Sequence, residues 1–137
     1  MLKTLLLLLQ ISQQYLVMQP LQEAIQHHRF AALESICQPH VVLNLEEPFN
    51  LSALMSREQF IEEFSGHFRA LQTEKIEWSS LQADEDVALQ SLNLILRQRF
   101  SGARVYYKLI LFMKADRNQE AAKEKQWKLF FLRGLKI

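Results

Sequence analysis

The sequence predicts an α+β domain in which N-terminal helices pack in the concave face of a curved, mainly antiparallel sheet, a cone-like fold. Three observations carry this expectation. The C-terminal part of the chain holds three long apolar-rich segments, Val87–Phe100, Arg104–Asp116 and Lys125–Ile137, separated by short polar breaks. Each exceeds the usual strand of about 5–6 residues. The residues before them read mainly as helix, and helices followed by a meander is the α+β order. Finally, Arg104–Lys114 is apolar on both sides, with Val105, Tyr107, Leu109, Leu111 and Met113 on one face and Tyr106, Ile110 and Phe112 on the other. A strand of that kind needs two covers. The helical layer supplies one, and a second copy of the chain, packed sheet to sheet, is expected to supply the other.

The elements follow in order. Residues 1–19 read either as a signal peptide or as an extra N-terminal helix. Lys3 followed by Leu5–Leu9 has the basic start and apolar core of an export signal, although Gln10 interrupts it and no A-x-A-like site follows. Leu5, Leu8, Leu9, Ser12 and Leu16 would lie along one side of an amphipathic helix. Either way the stretch falls short of the roughly 20 residues of a stable membrane span. Export, periplasmic or secreted, is favoured, with a cytoplasmic location as the alternative. Residues 20–137 are expected to form one domain, beginning with Pro20 in the first turn of a helix. Leu21, Ile25, Phe30, Leu33 and Ile36 continue a helical stripe with a break near His28-Arg29, and Pro39 is expected to end it. His40–Leu45 is a short β-branched strand, and Glu46–Met55 reads as a loop with at most a brief extended piece.

Ser56-Arg57-Glu58-Gln59 is a capping box. The helix behind it spaces Phe60, Phe64 and Phe68 four residues apart, joined by Ile61 and Leu71, and presents a wide aromatic face. Glu74–Gln82 alternates, with Ile76 and Trp78 on one side, and Asp84-Glu85-Asp86 makes a turn. Ser101-Gly102-Ala103 joins two strands, with Gly102 available for positive φ. Asn118–Glu124 is a polar connection to the last strand.

The 137 residues suit a single domain with a real core. A net charge of +1 conceals an uneven distribution: residues 21–86 hold twelve acids against four bases, and residues 97–137 eleven bases against three acids. The two halves are expected to neutralise each other within the domain. The basic residues alternate with apolar ones and no nucleic-acid motif accompanies them, which argues against nucleic acid as a partner. Cys37 is the single cysteine. It allows no internal disulfide and closes an apolar run, as a small buried hydrophobe would.

The pieces LQEAIQHHRFAALESIC, HVVLNL, SREQFIEEFSGHF and WKLFFLRGLKI resemble, in this order, the nuclear transport factor 2-like (NTF2-like, cystatin-like cone fold) superfamily, over residues 20–137. They resemble in particular its small exported bacterial members of unassigned function. The resemblance implies a pocket between the concave sheet face and the helices, used by family members for isomerisation, dehydration, ligand binding or simply as packed core. The fold does not choose among these.

Within that frame Glu46-Glu47-Pro48 is similar to the acid-before-proline of ketosteroid isomerases, so Glu47 is the weak candidate for a catalytic base, with Tyr15 or Tyr107 as donor to an enolate oxygen. No second, protonated acid is matched. Tyr107, Trp127 and Arg133 are the candidate ligand-binding residues, Arg133 on the expectation that it faces inward with Trp127 and Phe131 and holds a carboxylate. Arg97 and Arg99 are expected to face solvent, and Asn93 to be an outward amide or a dimer contact. His27, His28, His40 and His67 lack ligand spacing, so no metal is expected, and nothing calls for a cofactor. The functional expectation is a homodimeric, non-catalytic module that binds a small apolar or anionic ligand or another protein. The alternatives are an isomerase or dehydratase working by acid–base catalysis in the pocket, and a structural domain whose pocket its own side chains fill.

Overall fold

The computed structural model describes residues 19–116 and 126–137. Residues 1–18, with the candidate signal and Tyr15, and the connection 117–125 lie outside the described residues.

Residues 19–27 form helix α1, whose Leu21, Ala24 and Ile25 are fully buried. It stops where the sequence suggests, because His28 takes the left-handed conformation (φ 56°) and the Arg29 amide donates back to the Glu23 carbonyl. With His28 left-handed the chain turns back on the helix end, and histidine stands where glycine is usual. The chain then makes a 3-10 turn over Phe30–Ile36 that buries Phe30, Leu33 and Ile36. Helix α2, Arg57–Phe68, begins at the expected box: the Ser56 hydroxyl accepts from the Gln59 amide and the Gln59 side chain accepts from the Ser56 amide. Phe60, Phe64 and Phe68 are fully buried on one face.

These helical pieces pack against a curved sheet of seven strands: β1 Cys37–Leu45, β2 Leu51–Ser56, β3 Leu71–Trp78, β4 Gln82–Ala83, β5 Val87–Gln98, β6 Arg104–Asp116 and β7 Gln126–Lys136. The order is β2-β1-β7-β6-β5-β3, with β4 beside β5. Only β1 and β7 run parallel among the described pairs. The concave face of β6 is the expected row from Val105 to Met113, all of it buried. Two polar links tie α1 to the sheet: Thr73 Oγ1 donates to the Ile25 carbonyl at 2.9 Å and Trp78 Nε1 to Gln22 Oε1 at 3.2 Å. Across β3, β5 and β6, Glu74 of the acidic half lies between Arg97 and Arg104 of the basic half, one carboxylate oxygen to each.

Four expectations need correction. The residues before Val87 carry as much strand as helix. β1 starts at Cys37, so Pro39 does not close a helix but sits inside a strand. It is tolerated because the β1–β7 register shifts between Cys37 and Val42, a place where an N–H is not needed. Leu51–Ser56 is not loop but the edge strand β2, paired with β1 from Leu45↔Leu51 to His40↔Ser56. Finally, β7 does not keep one parity. A bulge against β6 between Phe112 and Met113 places Phe130 as an extra residue, so Trp127 and Leu129 point inward, and beyond it Leu132 and Gly134 do. Phe131 and Arg133 are therefore turned to the convex face, since a one-residue slip exchanges the two faces.

Gly134 itself is set by a close approach. The Tyr107 ring crosses it, and a Cβ at position 134 would lie 2.2 Å from the Tyr107 hydroxyl and 2.6 Å from its ring. Gly134→Ala should therefore displace a fully buried ring and cost about 2–3 kcal/mol, a typical overpacking penalty. Urea unfolding checks this: the midpoint should fall with an unchanged slope.

Candidate functional site

The mouth of the cone is shaped by the turn that follows β1. Phe49 and Asn50 both donate their amides to the Glu46 carbonyl, at 3.1 and 3.3 Å, and Asn50 takes a left-handed φ of 49°, which asparagine tolerates. The Glu47–Pro48 peptide is cis. Glu46 is held from several sides. Its amide donates to the Gly134 carbonyl, its carbonyl also accepts from the Tyr107 hydroxyl at 3.0 Å, and its carboxylate accepts from the Lys136 amide at 3.0 Å. So fixed, the turn drives Phe49 into the space between helices and sheet, where it is 2% exposed. Its ring meets Tyr107 at 5.1 Å, Phe68 at 5.3 Å and Phe64 at 6.0 Å between centroids. These rings form one aromatic cluster on the concave side.

The candidate residues do not converge. Glu47 is exposed in the turn. Tyr107 is fully buried with its hydroxyl committed to Glu46, and burial, with the nearby Glu46 charge, pushes that hydroxyl well above the ordinary tyrosine range. Trp127 is buried at the other end of the concave face: it pairs with Ala115, eight residues along β6 from Tyr107, roughly 26 Å away at strand rise. Arg133 is exposed on the convex face, so it does not hold a carboxylate at the pocket mouth; the β7 bulge is the reason. Asn93 and Arg99 are exposed as expected, while Arg97 is half-buried beside Glu74. Cys37 is buried and its thiol is pushed up to about 12 by burial, against the opposing charges of Arg57 and Lys128. At neutral pH it is the inert small hydrophobe its sequence position suggests. His27 and His40 are exposed, whereas His67 packs edge-on against Phe49. No group of three or more His, Cys, Asp or Glu that could hold a metal occurs among the described residues.

What sequence reasoning missed is outside the plug. A shallow depression of about 300 Å³ lies where the end of α2, the Pro48-Phe49 turn and the β5–β6 hairpin meet, with Gly66, His67, Gln98 and Phe100 among its walls. Two signals were present in the sequence: a phenylalanine inside the otherwise polar turn EEPFN, and another at the tip of the hairpin RQRFSGAR.

Comparison with protein-family models and with curated proteins gave no match. Solved structures do match. A ketosteroid isomerase-like protein from Erwinia carotovora atroseptica SCRI1043 superposes with a TM-score of 0.69 at 12% identity, over 93% of this chain and 95% of that one. A DUF4783 family protein from Bacteroides ovatus ATCC 8483 gives 0.66 at 13% identity, over 87% and 94%. An NTF2-like protein from Cytophaga hutchinsonii ATCC 33406 gives 0.58 at 15%, over 85% and 89%. At these identities the likeness is one of fold: the chain has the NTF2-like cone fold that its sequence pattern resembles.

His28, at the same end of the molecule, titrates below its ordinary 6.5, chiefly because burial disfavours the imidazolium and further because Arg99 is near. A histidine with a lowered folded pKa adds stability above the unfolded value and loses it as pH falls through the folded one. Proton NMR should place its midpoint below 6.5, and Arg99→Gln should move it part of the way back. A midpoint at or above 6.5 in the native chain would contradict this packing.

Proposed function

We propose that this chain is a non-catalytic interaction module whose working surface is the convex face of its sheet and whose partner is a second copy of itself. The observation that carries the reading is a row of apolar side chains in register across five strands. Leu54 pairs with Val42, Val42 with Phe131, Phe131 with Phe112 and Phe112 with Leu89. Leu54 is 67% exposed and Val42 36%. Such a row spans roughly 19 Å at the usual strand spacing. Exposed apolar surface of this continuity marks an interaction site on a soluble domain. A sheet face can meet its own copy across a two-fold axis without any further feature. Asn44 and Arg133, paired with each other one same-face position beyond Val42 and Phe131, border the row with the polar groups that interface rims carry.

The isomerase or dehydratase reading finds less support. Acid–base chemistry needs a carboxylate facing an enclosed substrate. Here the acid before the proline is exposed, and Phe49 occupies the space a substrate would take.

Sedimentation velocity tests the proposal. The native chain should run as a dimer at micromolar concentration, and Phe131→Glu should run as a folded monomer with unchanged far-UV dichroism; a monomeric native chain would overturn it. Export, on the strength of the leucine-rich start, is proposed with it. Sequencing the N-terminus of the mature protein should begin beyond residue 19, and a chain beginning at Met1 would favour the cytoplasm.

A further inference from the structure

Three residue choices that the local structure does not require meet at the depression outside the Phe49 plug. Gly66 lies inside α2, where glycine costs about 1 kcal/mol relative to alanine. Neither conformation nor packing asks for it: its φ is not positive, and an added Cβ would meet nothing within 4 Å. Phe100 is 99% exposed at the tip of the β5–β6 hairpin, a position that polar residues fill without exposing a ring. Gln98, half-buried, accepts the Ser101 hydroxyl on its Oε1 at 2.8 Å, which leaves its amide NH2 without an acceptor among the described residues. All three line the same space. A bare helix wall, an unpartnered aromatic ring and an oriented donor around one apolar concavity have the form of a ligand subsite, where local rules are broken for use.

The charge around it selects the ligand. Arg97 and Arg104 share the one carboxylate of Glu74, but Arg99, between the lining residues Gln98 and Phe100, has no ion pair among the described residues. Its charge reaches far enough to depress the titration of His28. The α2 acids Glu62 and Glu63 line a neighbouring depression that shares Gly66 and His67, not this one. Exposed Glu47 precedes the lining residue Pro48 but does not itself line the space.

We infer that this depression binds a small aromatic carboxylate, its ring against Phe100 and Leu71 and its carboxylate at the Gln98 amide within the field of Arg99. The site is separate from the convex face, so the two proposals fail or stand independently.

Amide NMR of the full chain, titrated with 2-naphthoate and with the neutral 2-naphthylmethanol, tests it. Naphthoate should give saturable shifts confined to residues 66–71 and 98–101, and the alcohol should bind more weakly. Arg99→Gln should weaken naphthoate roughly three- to tenfold, the loss of an opposite charge near the carboxylate. Gly66→Ala should bind naphthoate with a raised thermal midpoint, whereas Gly66→Leu should remain folded and lose binding because its side chain occupies the space. Absence of saturable shifts, undiminished binding by Gly66→Leu, or equal affinity for the alcohol would each overturn the inference.

Discussion

The burial of Phe49 is the constraint on which the rest of this structure depends. A cone of helices against a curved sheet encloses a space, and that space has either to admit solvent and ligand or to be filled from within. Here the turn after β1 sends a phenyl ring into it, a gain of about 1.5–3 kcal/mol from burial alone. The ring completes a cluster with Phe64, Phe68 and Tyr107. The polar cost of holding the turn down is met by Glu46, which joins the end of β1 to the end of β7 and to the Tyr107 hydroxyl. Gly134 belongs to the same arrangement, because only a residue without a side chain lets the Tyr107 ring lie where it can reach Glu46. Plug, latch and bare strand position form one unit.

That unit bears on where the two proposed surfaces lie. Both proposed surfaces lie outside the Phe49 cluster: the convex face, where apolar residues from five strands align, and the shallow depression beyond Phe49. The two differ in kind. The first is broad and flat, suited to another folded surface. The second is small, walled by Gly66 and Phe100, and suited to a molecule of a few rings.

Much of this was legible in the residues. The capping box at Ser56 and the four-residue spacing of Phe60, Phe64 and Phe68 are local signals with local causes, and α2 forms as they require. The two-sided apolar pattern of β6 announced a buried concave row and an apolar convex one. What was not legible depended on non-local events. The face of Arg133 was set by a bulge opposite Phe112, which no pattern within β7 reveals. The edge strand Leu51–Ser56 lacks strong alternation and exists because β1 offers it a partner. Phe49 stood in a turn rich in acid and proline, and its inward course is fixed by Gly134 and Tyr107, both far away in the chain. Candidate site residues chosen by type, such as Tyr107 and Trp127, turned out to belong to opposite ends of one core.

The most direct measurement is a set of nuclear Overhauser contacts from the Phe49 ring in solution. A filled cone predicts strong contacts from its ring protons to Tyr107, Phe64 and Phe68 and slow exchange of the Phe49 amide with solvent. A Phe49 ring without contacts to those three, in a chain otherwise folded, would mean that the cone is open and would contradict an interior filled by the protein's own side chains.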